Sequence, residues 1–247
     1  MERTKIYFAS DFHLGIPNHS VSLEREKKIV RWLDSIKHDA KQIFLLGDTF
    51  DFWFEYDHVV PRGYVRLLGK LAELRDSGID IQAFTGNHDL WMFGYFEEEL
   101  NIPVHHHPIF IESHGKKFYI GHGDGVGPGD RGFKLMKSVF TNRFAQFLYS
   151  LLHPYLAFKL ARYFSHNSRM LNEEETFLGE EKEWQIIYAK EMLQKEHIDY
   201  FLFGHRHIVL ELKLSDNSTF INLGDWVRHY SFAEFDGQTC KIKYFEV

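Results

Sequence analysis

Short apolar runs alternate with amphipathic stretches over the first third of the chain. Ile6–Ala9, Gln42–Leu46 and Ile79–Phe84 are too short for helices and read as buried strands. Between them, Ser22–Lys37 sets Leu23, Ile29, Val30, Leu33 and Ile36 at helical spacing. Tyr64–Arg75 does the same with Val65, Leu67, Leu68, Leu71, Ala72 and Leu74, and Gly78 closes it. This βαβαβ order predicts a parallel or mixed sheet with helices on its faces, an α/β architecture. Farther on, 109–111 and 117–120 read as a hairpin over Ser113-His114-Gly115. Residues 199–203 form another strand, and 209–214, 218–222, 231–235 and 241–245 a β-rich tail.

Residues 131–197 break the rhythm and read as successive helices. Phe140, Phe144, Phe147, Leu148, Leu151 and Leu152 fall on one helical stripe. A membrane span needs ~20 consecutive apolar residues. Arg143, Lys159 and Arg162 punctuate this stretch and Pro154 interrupts it, so no span is expected. Two readings of the stripe stand. It is either a helical insert packed on the main domain, or an amphipathic cap whose Phe/Leu face receives acyl chains or lies on a bilayer.

Composition sharpens that question. The 247 residues, 44% hydrophobic and 26% charged, fit one globular domain (1–247) carrying the 131–197 insertion. Its 24 Phe exceed ordinary usage, which means either an aromatic core or surplus apolar surface. A net charge of -6 argues against a broad nucleic-acid-binding face. The single cysteine, Cys240, permits no internal disulfide and fits a reducing compartment. The opening Met1-Glu2-Arg3-Thr4-Lys5 runs into a strand without the apolar leader of a signal peptide.

Five polar islands carry the chemistry: Asp11-Phe12-His13, Gly47-Asp48, Gly86-Asn87-His88-Asp89, Gly121-His122-Gly123-Asp124 and Gly204-His205-Arg206-His207. Most directly follow an apolar run, as sites at the carboxyl ends of strands do. Singly, each has an ordinary explanation. Asp-x-His arises by chance, Gly-Asp is a turn, Gly-Asn-His-Asp can be an Asx turn, and a histidine beside an apolar run is usually structural. Five in succession supply enough Asp, Asn and His for two adjacent cations. Asp11 and His13, two apart on an extended segment, face one side. Asp48 has two oxygens and can serve two ions. Mixed imidazole and carboxylate ligands suit Mn, Fe, Zn, Co or Ni more than Ca or Mg. His105-His106-His107 lies outside the series and reads as a surface loop. Trp53 and Trp226 read as walls or core beside the site. Arg206 faces either phosphate or an acidic partner.

The order of these islands resembles the calcineurin-like metallophosphoesterase superfamily over nearly the whole chain. That resemblance implies a two-layer β-sandwich flanked by helices, with a binuclear centre at one edge. Carried over, Asp11, His13 and His207 hold one cation with bridging Asp48; Asn87, His122 and His205 hold the second with the same Asp48. His88 is then not a ligand but donates a proton or hydrogen bond to the substrate, with Asp89 as its orienting partner. Cations ~3.5–4 Å apart clamp the attacking and departing oxygens of an in-line displacement.

A narrower resemblance rests on Gly47-Asp48-Thr49-Phe50-Asp51-Phe52-Trp53, Gly121-His122-Gly123-Asp124 with Asp130, Asn167-Ser168, and Asn222-Leu223-Gly224-Asp225-Trp226. It is to the UDP-2,3-diacylglucosamine pyrophosphohydrolases of lipid A biosynthesis. These give UMP and 2,3-diacylglucosamine 1-phosphate at the cytoplasmic face of the inner membrane, with acyl chains in the helical insert. The resemblance implies two divalent ions, Mn2+ first, and substrate contacts from Asn87, His88, Asp130, Ser168, Asn172 and His205. Arg162 and Arg169 are further headgroup candidates. Two positions depart from the pattern. The best-known branch has Arg where this chain has His88, and Glu175 stands where a basic residue is expected. Asn172-Glu173-Glu174-Glu175 reads more simply as a helix N-cap. The alternatives are a soluble binuclear phosphodiesterase or phosphatase for another nucleotide or phosphoester, and a non-catalytic scaffold. The complete ligand series and His88 stand against the scaffold.

Overall fold

Along β1 (Lys5–Ala9), Ile6 and Phe8 point to one side and Tyr7 and Ala9 to the other, and both sides are buried. The same holds along β2 (Ala40–Leu46), where Phe44 and Leu46 alternate with Ile43 and Leu45. A strand buried on both faces must lie between two layers, and that is the architecture of the computed structural model. The described residues are 3–129, 131–161 and 176–246.

The first sheet takes β1 through β4 in parallel, with β3 at Asp80–Phe84 and β4 at Val104–His105. It is completed by β10 (Ser231–Phe235), antiparallel to β1, and β11 (Cys240–Tyr244). The second sheet contains β5 (Ile109–Ser113), β6 (Lys116–Ile120), β7 (Tyr200–Phe203), β9 (Ser218–Leu223) and β8 (Val209–Ser215), in that order. Within it β6, β7 and β9 run parallel. Ile6, Phe8, Phe44, Leu46 and Phe84 meet Phe118, Ile120, Leu202, Ile221 and Leu223 between the sheets. The opposite face of the first sheet packs on α1 (His19–Ile36) and α2 (Val65–Asp76) through Trp32, Leu33, Leu67 and Leu71. On the outer face of the second sheet, Phe201 and Phe203 cluster with Ile186 and Ala189 of α6 (Trp184–Leu193). The expected two-layer sandwich flanked by helices is therefore present. The strands of the βαβαβ half and the hairpin fall where periodicity puts them.

Three features differ from expectation. A short helix, α3 (Tyr95–Leu100), and the two-residue β4 were not anticipated, because neither is long enough to show a period. The supposed single stripe from Phe140 to Leu152 is broken. α4 (Arg131–Phe140) ends before Thr141, and α5 (Arg143–Ser150) starts behind Asn142, whose side chain caps the amides of Phe144 and Ala145. Residues 154–161 are helical again, starting at Pro154. These helices dock on the 52–56 and 91 segments by aromatic contacts, Trp91 with Phe140 and Tyr149, and Phe52 with Phe158. Trp91 Nε1 also donates to the Phe140 carbonyl at 2.7 Å. Leu135, Phe144, Phe147, Leu148 and Leu151 stay exposed. Among the described residues no helix is long and apolar enough to cross a membrane.

Phe8 is fully buried, stacking on Phe44 within its own sheet and on Phe118 across the layer. Phe8→Ala should lower the unfolding free energy by about 3–5 kcal/mol in denaturant titration. A loss under about 1 kcal/mol would mean that the two sheets do not meet there.

Candidate metal centre

Five loops leave the carboxyl ends of β1, β2, β3, β6 and β7 and close over one edge of the sandwich. Asp11 (after β1) and Asp48 (after β2) are buried in the seam. Asp11, His13, Asp48 and His207 place one ligand atom each within 4.8 Å of one another. His13 Nε2 stands 3.0 Å from His207 Nε2, 3.5 Å from Asp11 Oδ1 and 3.7 Å from Asp48 Oδ2. Across Asp48, His122 Nε2 lies 3.3 Å from Asp48 Oδ2 and 3.2 Å from Asn87 Oδ1. His205 Nδ1 approaches Asn87 Oδ1 at 2.8 Å. The seven side chains thus form two groups on either side of Asp48.

The loops are strained into place. Asp11, His13, Asp48, His205 and His207 all have positive φ, between 43° and 70°. Non-glycine residues rarely adopt that conformation, and it costs about 1–3 kcal/mol each unless the surroundings enforce it. Gly47, at φ 89°, lets the chain pass under His122: a Cβ there would lie 2.6 Å from the His122 Nδ1. His122 Nδ1 instead reaches the Leu46 carbonyl at 2.8 Å, and as the donor there it turns Nε2 toward Asp48. Ser10 Oγ donates to Asp11 Oδ2 at 2.6 Å, and the His205 amide to the same oxygen at 3.0 Å. Arg25, buried on α1, donates to the Phe12 and His13 carbonyls from behind.

The donor set fits a divalent cation. Asp11 Oδ1 is buried and accepts no hydrogen bond of proper geometry, although His207 Nε2 stands 3.1 Å away. Imidazole nitrogens face each other and two buried carboxylates, with His207 at the partly exposed rim, an arrangement that favours a positive charge at its centre. The histidines can supply it. Burial pushes the Asp11 and Asp48 carboxyls up, but the surrounding imidazoles, His207 for Asp11 and His122 for Asp48, hold both well below the usual range. Burial pulls His122 down, yet Asp48 against its ring raises it to about 10. Burial lowers His13 to about 4, and burial with the neighbouring His122 lowers His205 to about 4.

Several expected roles are relocated. Asp89 does not orient His88. Its carboxylate accepts from the amides of Gly86 (2.7 Å), Asp48 (3.3 Å) and Phe50 (3.3 Å), stapling two ligand loops together. Burial and the charge of Asp48 push Asp89 up to about 7. His88 Nδ1 faces Asp51 instead, 3.0 Å from its carbonyl and 3.5 Å from Oδ1. Its backbone amide donates to Asp48 Oδ1 at 2.8 Å. Asp51 was missed as a participant, although it lies within the Gly47–Trp53 run. Arg206 pairs with buried Glu183 at 3.0 Å. Trp53 and Trp226 are fully buried core, and His105, expected in a surface loop, ends β4 and pairs with Gln82 of β3. Asp130, Ser168 and Asn172, with Arg162, Arg169 and Glu175, lie outside the described residues.

No family model matches the chain. A UDP-2,3-diacylglucosamine hydrolase of Porphyromonas gingivalis is 41% identical over 258 residues, spanning 99% of this chain and 98% of that protein. Hydrolases of the same name from Shigella dysenteriae and Shewanella oneidensis are 21% and 26% identical, each over 96% of the chain. They are covered to 98% and 95% of their own lengths. Among solved structures, the E. coli phosphoesterase Yfce matches at a TM-score of 0.48 and 13% identity, over 98% of this chain and 94% of that one. That last likeness is too distant to bear on activity.

With Asp48 raising His122 to about 10, a cation entering this centre should displace a proton from its ring. Loading cation-free protein at about pH 8 in weak buffer should release roughly one proton per chain, and apparent affinity should rise with pH up to about 10. Uptake without proton release, followed by pH electrode, would show His122 to be neutral in the bare site.

Proposed function

The chain belongs to the UDP-2,3-diacylglucosamine hydrolase family, and on that footing we propose that it hydrolyses the pyrophosphate of UDP-2,3-diacylglucosamine. Water is added across the P–O–P bridge, giving UMP and 2,3-diacylglucosamine 1-phosphate for lipid A biosynthesis. The observation that carries the reading is the convergence of Asp11, His13, Asp48 and His207 on one buried point, with Asn87, His122 and His205 beside it.

In this reading Asp11, His13 and His207 would hold one divalent cation and Asn87, His122 and His205 a second, with Asp48 available to both. Mn2+ is the first candidate by the resemblance, and the ligand set suits Fe, Zn, Co or Ni as well. When bound, such cations supply Lewis acidity that neutralises charge building on the phosphoryl oxygens. The chain's own groups position and protonate. His88 is held twice, by its amide donating to Asp48 and its Nδ1–H donating to the Asp51 carbonyl, so Nε2 is left to face the substrate and, when the ring is doubly protonated, to donate to a phosphoryl oxygen or the departing group. Asn87, His88, Asp130, Ser168, Asn172 and His205 are the substrate contacts proposed by resemblance, of which Asn87, His88 and His205 fall among the described residues.

The 131–197 segment is the lipid-binding part of the proposal. Lys137 of α4 pairs with Asp124 at 2.5 Å, and the Phe133 ring lies against His205, centroids 5.8 Å apart. The helices therefore abut the candidate centre. Exposed Leu135, Phe144, Phe147 and Leu151 supply apolar surface for acyl chains and for peripheral contact with the cytoplasmic face of the inner membrane.

Three measurements test the reading. With Mn2+, hydrolysis of UDP-diacylglucosamine should greatly exceed that of UDP-glucose and bis-p-nitrophenyl phosphate. Equal rates on acylated and unacylated substrates would point to a different phosphoester. Asp48→Ala should abolish turnover and most metal uptake. His88→Ala should cut turnover by about 10²–10⁴-fold with metal content retained. An emptied centre in His88→Ala would make His88 a ligand.

A further inference from the structure

The two histidine loops on the Asn87 side are joined behind the site by one buried carboxamide. Gln185, in the first turn of α6, is 3% exposed. Its Nε2 donates to the Gly123 carbonyl at 3.2 Å and to the Gly204 carbonyl at 3.0 Å. Its Oε1 accepts from Asn222 Nδ2 at 2.9 Å, and that nitrogen also donates to Gly204 at 2.9 Å. The chemistry leaves no other orientation of the two amides, because both loop partners are carbonyls and only an NH2 group can satisfy them. Every polar atom of Gln185 is used, in a place where an unmade bond is costly.

The position of these bonds matters more than their number. Gly123 follows His122, and Gly204 precedes His205, so the carboxamide grips the peptide unit that leads into His205 and the one a single residue past His122. The Gly204 amide also donates to the His122 carbonyl at 3.0 Å, closing the pair of loops. His205 sits at φ 70°, a conformation that relaxes unless its peptide is held. Gly123 is shaped to the clamp. At φ 94°, a Cβ there would lie 2.3 Å from Gln185 Nε2. Two residues before Gln185, Glu183 grips Arg206 on the far side of His205. The start of α6 thus holds the 204–206 loop at two points.

We infer that Gln185 is a positioning residue that fixes the separation of His122 and His205, and so controls the cation affinity of the Asn87 half of the centre. This rests on the binuclear reading above. Asp11 and His13 receive no bond from Gln185, so the half they build should depend on it far less, through the His207 end of the clamped loop alone.

The test is Mn2+ titration calorimetry with metal analysis and thermal melting, on the full chain freed of cations. Wild type should take up two ions. Gln185→Leu, close in size but without polar atoms, should weaken one site by roughly 10–100-fold and spare the other. Gln185→Glu, which keeps the acceptor for Asn222 but sets oxygen against two carbonyls, should show the same selective loss. Ile186→Val, a fully buried neighbour outside the clamp, lowers stability alone and should keep both affinities at a comparable Tm shift. Unchanged binding in Gln185→Leu, or an equal loss in Ile186→Val, overturns the positioning role. A wild type that takes up no Mn2+ overturns the functional reading itself, and the clamp with it.

Discussion

Two carboxylates buried side by side constrain the whole molecule. Asp11 and Asp48 lie in the seam between two sheets, with almost no solvent contact. Desolvating such charges costs several kcal/mol apiece unless positive charge answers them. The imidazoles answer them, His122 with a pKa that Asp48 raises well beyond its ordinary range. A divalent cation answers better and frees the imidazoles to act as ligands. The centre is therefore a place where the fold spends stability on charge, and metal uptake returns it.

The fold reaches this arrangement through strand parity and loop strain. Five parallel strands, three in one sheet and two in the other, deliver their carboxyl ends to one edge. The apolar layer of Phe8, Phe44 and Phe118 fixes the distance between sheets, and so between the loops they carry. Positive φ at five candidate ligands turns the side chains inward. Backbone staples hold those turns: Asp89 under the Asp48 and Gly86 loops, Arg25 under Phe12 and His13, Gln185 under Gly123 and Gly204.

What the sequence revealed follows from what is local. β1 and β2 were legible because both their faces are apolar along most of their length, β3 because Ile79, Ile81, Ala83 and Phe84 make a short apolar run, and the ligand islands because each sits at a strand exit. The break between α4 and α5 was readable in principle, since Thr141-Asn142 is a capping signal, but the periodic Phe/Leu spacing ran across it and masked it. Asp89 was misassigned because adjacency in sequence is not adjacency in a turn; its carboxylate points back at the Gly86 and Asp48 amides. Gln185 and Arg25 had no local signature. Each sits on an ordinary helix, and only the docking of that helix brings its polar end beneath a loop distant in sequence.

The most direct test is anomalous diffraction from crystals grown with Mn2+. Two peaks, one on each side of the Asp48 carboxylate and each bordered by the histidines of its own group, are the expected result. A single peak elsewhere, or none within reach of Asp48, would contradict the binuclear centre and the hydrolase built on it.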